Sequence, residues 1–183
     1  MALEVGDISA DSISGLTLSA TSFYNDSQQF YGVVKSSTAP INVNNTWRNL
    51  NNEEFDYDAT RSKWLGKEFL ISGARDNGAT TDQFLRHSDG MPYNMNGYQI
   101  PYDATIVGIA ASCNSTGTWR ALISTANTLT AGVLVNLQLS STTRKDDFSL
   151  NINVNSGQTL YLSMSGTSIN RPKIDVYLKK RAN

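Results

Sequence analysis

Val133-Leu134-Val135-Asn136-Leu137-Gln138-Leu139 sets the fold class. Val133, Val135, Leu137 and Leu139 fall on one phase of a two-residue period, with Leu134, Asn136 and Gln138 on the other. A strand points successive side chains to opposite faces, so this pattern buries one face and wets the other. Phe148, Leu150, Ile152 and Val154 alternate with Ser149, Asn151 and Asn153 in the same way. So do Ile174, Val176 and Leu178 with Asp175, Tyr177 and Lys179.

Outward from these three runs the pattern continues. Strands are predicted over 67–74, 82–87, 98–100, 105–113, 118–124, 133–139, 148–154, 159–164 and 174–179. Between them lie the turn pairs Asn77-Gly78, Asp89-Gly90, Asn96-Gly97, Thr116-Gly117, Ser156-Gly157 and Ser165-Gly166. Helical periodicity is nearly absent. Short strands at close spacing predict an all-β sandwich or barrel. The run 106–112 is apolar on both phases and reads as a central strand covered on both faces, one of them against a neighbouring subunit.

The N-terminal third is weaker. Ile13, Leu16 and Leu18, then Phe23-Tyr24, then Phe30, Tyr31, Val33 and Val34 are separated by polar turns. They predict short β-elements with too little apolar mass for a core of their own. Residues 1–55 therefore read as an extended β arm, 56–66 as a hinge and 67–183 as the folded sandwich.

The 183 residues carry a net charge of −1, and 17% are charged, below the usual quarter or so. Asn, Ser and Thr supply much of the polarity instead, which suits β-surfaces that pack against other subunits. Near-neutrality argues against nucleic acid, which requires a basic face. No apolar run reaches the length of a membrane span, so no membrane insertion is expected. The opening Met1-Ala2-Leu3-Glu4-Val5-Gly6-Asp7 lacks the basic and apolar regions of a signal peptide. The single cysteine, Cys113, allows no intrachain disulfide, which fits synthesis in a reducing cytoplasm.

Reactive chemistry is sparse. His87 is the one histidine, and His87-Ser88-Asp89 are chain neighbours, which does not give triad geometry. The acidic cluster Glu53, Glu54, Asp56 and Asp58 lacks the spacing of a calcium loop and reads as a solvated linker. Lys179-Lys180-Arg181 reads as a small basic tail. No cofactor and no metal are expected. A polysaccharide depolymerase would need as few as two carboxylates; none are clustered in a predicted groove, and the chain is expected to be non-enzymatic. The least strand-like stretch is 86–96, which holds Tyr93, Asn94 and Asn96, with Tyr98, Gln99 and Tyr102 just beyond it. They form a candidate ligand loop in which rings stack on sugar and amides donate to it.

The segment Tyr57-Asp58-Ala59-Thr60-Arg61-Ser62-Lys63-Trp64-Leu65 leads into Lys67-Glu68-Phe69-Leu70-Ile71-Ser72-Gly73. Downstream come Gly97-Tyr98-Gln99-Ile100-Pro101, Ala104-Thr105-Ile106-Val107 and Gly117-Thr118-Trp119-Arg120-Ala121-Leu122-Ile123. Together these resemble the C-terminal modules of tailed-bacteriophage virion proteins, in which such a segment precedes a jelly roll similar to tumour-necrosis-factor and C1q modules. The resemblance covers roughly residues 55–181. It implies a homotrimer on the virion surface, as a capsid-decorating (cement) protein, head fibre or tail fibre. Tyr57, Asp58, Arg61, Lys63 and Trp64 would be hinge and assembly residues. The arm would grip the major capsid protein or another virion protein. The alternative it leaves open is a receptor-binding fibre tip that recognises host surface glycan.

Overall fold

The structure is a computed structural model that describes residues 23–25, 28–30, 33–41, 43–76, 78–79, 82–166 and 169–182. The chain divides into two compact units, 1–32 and 33–183. In the first, β1 (Phe23–Asn25) and β2 (Gln28–Phe30) pair antiparallel with Phe23 opposite Phe30. The strand readings at Ile13, Leu16 and Leu18 lie outside the described residues.

The second unit is all-β, with no helix among the described residues. Its strands are β3 (Val33–Lys35), β4 (Thr46–Arg48), β5 (Glu54–Asp58), β6 (Lys63–Ala74), β7 (Gly78–Ala79), β8 (Gln83–Phe84), β9 (Tyr98–Gln99), β10 (Ala104–Ser124), β11 (Val133–Asp147), β12 (Ile152–Val154), β13 (Thr159–Gly166), β14 (Ile169–Asn170) and β15 (Lys173–Arg181). Eleven of them form one sheet in the order β3-β4-β5-β6-β15-β10-β13-β8, with β11 and β12 also on β10 and β9 on β13. Only β3 and β4 run parallel among these pairs.

The sheet returns on itself. Beyond β8, Arg86 exchanges two backbone hydrogen bonds with Ala74 of β6, each 3.0 Å. The path β6-β15-β10-β13-β8 is thereby closed, and one core fills its interior. Trp119, Leu85, Ile109, Leu139, Leu162 and Ile174 are all at most 1% exposed in it. Among the described residues β3 and β11 each have one neighbour in the sheet, so the ring leaves those two edges open.

β10 carries most of the architecture. The sequence predicts two strands here, split by a turn at Thr116-Gly117; the structure has one strand of 21 residues. Residues 104–112 pair with β15, and 119–124 pair with β13. The register to β11 shifts between Ser112 and Gly117, so the polar break re-aims the strand instead of reversing it. The double-sided run is buried on both phases within a single chain. Ile106, Ile109 and Ala111 join the core, while Val107 and Ala110 on the other phase are 5% and 8% exposed. Part of that cover is Phe148, whose ring lies on Gly108 and packs edge-on against Tyr177 at 5.0 Å. The run predicted as a strand over 148–154 is paired only over Ile152–Val154, and residues 148–151 leave the ladder between β11, which ends opposite Ile109, and β12, which starts opposite Ile106.

The segment read as a hinge, 56–66, has a different form. β5 and β6 are an antiparallel hairpin with Asp56 opposite Leu65, Tyr57 opposite Trp64 and Asp58 opposite Lys63. The compact-unit boundary lies at Gly32, not after residue 55. The reason is aromatic burial. Trp47 and Phe55 are 4% and 2% exposed, and Trp47 packs on Phe55 at 5.3 Å and on Trp64 at 6.1 Å. That cluster gives residues 33–55 enough apolar mass to join the large sheet through β4 and β5.

Candidate functional site

The motif residues of the β5–β6 hairpin form a lock on segment 148–151, which lies unpaired between β11 and β12. Val107 is skipped by the register on both sides of β10: β12 pairs up to Ile106, β11 from Ile109, and β15 shifts between Ile106 and Gly108. At this bulge the Val107 carbonyl takes a side-chain donor, Arg61. Its Nη2 donates to Val107 O at 2.9 Å and to Phe148 O at 2.5 Å, and its Nε donates to Leu150 O at 2.7 Å. Its Nη1 meets Asp58 Oδ2 at 2.7 Å, with side chains only 12% and 16% exposed. Lys63 Nζ adds hydrogen bonds to Asn151 and, at 2.6 Å, to Asn153.

The planar guanidinium suits this geometry, because its five N–H groups fan out in a fixed fork. Burial pushes the Asp58 carboxyl up, but the side-chain and backbone hydrogen bonds from Arg61 outweigh it and hold the group below its ordinary range. Lys63 is pushed down by burial and by the neighbouring Arg181 and Arg61.

The candidate ligand loop is placed differently from its expected role. Tyr93 is 1% exposed, and its hydroxyl donates to Ser72 O at 3.0 Å. Burial pushes its phenol well above the ordinary tyrosine value. The ring is stacked on His87 at 3.7 Å, and His87 Nε2 donates to the Asn96 carbonyl. Tyr93 is therefore a core anchor with no face left for a sugar. Asn94 and Asn96 are exposed, and Tyr98 is half-buried in β9. Asp89 accepts from the Met91 amide at 2.9 Å, while the His87 ring bonds the Asn96 carbonyl. Among the described residues no three His, Cys, Asp or Glu gather as a metal-holding group.

Sequence reading missed a polar cleft of about 410 Å³ beside β15. Glu53 pairs with Lys180 across it, 127 residues apart in the chain. Asn49 donates to Glu53 at 2.8 Å. Hydrogen bonds from Lys180 and then from Asn49 hold the Glu53 carboxyl below its ordinary value, against a smaller desolvation effect. Tyr102 lines the cleft, fixed by Phe69 edge-on at 5.3 Å and by the Lys180 ammonium 4.9 Å from its ring centroid. Arg181 and Asp103 approach to 3.5 Å on the far side. The one available signal was the phase of β15, which turns Lys180 to the side opposite Lys179; nothing local linked it to Glu53.

No protein-family model matches the chain, and no curated protein matches it in sequence.

Proposed function

We propose that this chain is a non-enzymatic structural protein of a tailed-bacteriophage particle, a homotrimer displayed on the outer surface as a capsid-decorating (cement) or short-fibre protein. The observation that supports this reading is the use made of the 57–65 segment, the one that resembles phage virion modules. Asp58, Arg61 and Lys63 are consumed in fixing the fold at Val107, Phe148, Leu150, Asn151 and Asn153, and none of them faces a reacting centre. A sheet that returns on itself fits the jelly-roll sandwich that the resemblance implies. A three-fold ring of such units would give a closed assembly, with the unit 1–32 attaching to the major capsid protein or another virion protein.

Two measurements test it together. Sedimentation equilibrium should give a mass three times the 20.0 kDa chain. A variant lacking residues 1–32 should keep the β-sheet and lose binding to particles. A monomer, or a truncated chain that still decorates particles, contradicts the proposal.

A second reading, a receptor-binding fibre tip for host surface glycan, is favoured by the polar cleft around Tyr102.

A further inference from the structure

We infer that the cleft between β15 and the β4–β5 connection is a binding site for an uncharged saccharide, with Tyr102 as its aromatic wall. The inference rests on the receptor-binding reading and moves its site from the Tyr93–Tyr98 loop to a different face.

The volume comes first. About 410 Å³ lies within the several-hundred-Å³ range of small-ligand sites. A second lobe, lined by Glu53, Glu54, Lys67, Tyr102 and Lys180, continues past the Glu53–Lys180 pair, so the site is a trough suited to a chain of rings.

The charges select the ligand class. In the first lobe two carboxylates, Glu53 and Asp103, are matched by two cations, Lys180 and Arg181, each in an ion pair, and the second lobe adds one group of each sign, Glu54 and Lys67. An anionic sugar would meet the carboxylates, and a cationic one would meet the lysine and arginine. Hydroxyl groups, which both donate and accept, can bridge a carboxylate and an ammonium without disturbing the balance. Asn51 adds an exposed amide at the rim, and Tyr102 offers an amphipathic ring whose orientation is already fixed. Preorganisation of this kind reduces the ordering cost of binding.

The test uses the full-length chain and defined probes: malto-, galacto- and N-acetylchito-oligosaccharides as uncharged ligands, with oligogalacturonate and chitosan oligomers as charged ones. Calorimetry and saturation-transfer NMR read binding. At least one uncharged series should bind, the charged ones more weakly, and Tyr102→Ala should weaken binding at least tenfold with the fold intact by circular dichroism. Asn51→Trp, which fills the trough without removing a packed side chain, should do the same, and Met95→Ala on the distant loop should change nothing. Failure of every uncharged probe, or binding untouched by both cleft variants, overturns the inference. Cell adsorption separates it from the broader reading: binding that is lost in Tyr102→Ala while adsorption persists keeps the saccharide site and removes the receptor role.

Discussion

Arg61 Nη2 donates to the carbonyl of Val107 at 2.9 Å across 46 residues of chain, at the position in β10 where the ladder register is broken. At this bulge a side chain from a distant hairpin donates to the carbonyl of the buried strand. The same guanidinium ties down Phe148 and Leu150, so one residue joins the hairpin, the central strand and the segment between β11 and β12.

Removing that fork should be severe. Arg61→Ala removes the side-chain partner of Asp58, which keeps the residue-61 amide, and the donor to three carbonyls, with an expected loss of about 3 kcal/mol. Arg61→Lys should recover only part of it, because an ammonium cannot reproduce the planar fan of donors. Urea denaturation followed by tryptophan fluorescence gives both values.

Acid should loosen the same region. Asp58, Glu53 and Asp147 all have folded-state pKa values below their ordinary ones. For Asp147 the cause is the side-chain, then the backbone, hydrogen bond with Ser149. Each contribution is present above the ordinary carboxylate pKa of about 4 and is lost as the pH falls through the lowered folded value. Melting temperature should therefore drop as the pH is taken from about 5 to about 2, within the range of these carboxylates. Asp58→Asn should be less stable at neutral pH and show a shallower acid dependence.

Gly108 tests the cover on β10. A Cβ there would collide with Cδ1 of Phe148. Gly108→Ala should cost about 1–3 kcal/mol through overpacking, and Phe148→Leu in the same chain should restore part of it. Equal effects of Gly108→Ala in the presence and absence of Phe148→Leu, read by thermal melts, would show that the ring is not the obstacle.

Tyr93 separates anchoring from recognition. Tyr93→Phe removes the hydrogen bond to Ser72 and leaves its carbonyl wanting, at about 1–2 kcal/mol. Tyr93→Ala opens a cavity under His87 and should cost about 3–5 kcal/mol. Both effects should appear in denaturation curves without any ligand present.

The alternating runs were legible because their faces are local. Ile174, Val176 and Leu178 are buried as the two-residue period requires. Phe148 and Leu150 follow the same period but do not lie in a strand: their carbonyls accept from Arg61, in the gap between β11 and β12. Gly117 follows a turn-forming residue, yet the pairing on β11 carries the chain straight through it. The hinge misread has a similar origin: Tyr57 and Trp64 are close in sequence, but their burial depends on Trp47. Of the candidate site, Tyr102 was read with the 93–98 loop, and the structure sets it in the cleft beside Phe69 and Lys180. Glu53 and Lys180 carry no mutual signal in the chain, since only the packing of β15 beside the β4–β5 connection brings them together.

The most direct measurement is the copy number of this protein in purified phage particles, by quantitative peptide mass spectrometry against the major capsid protein. A virion surface protein should be present at a simple fraction of the capsid protein, in multiples of three copies. Its absence from the particle would contradict the proposal.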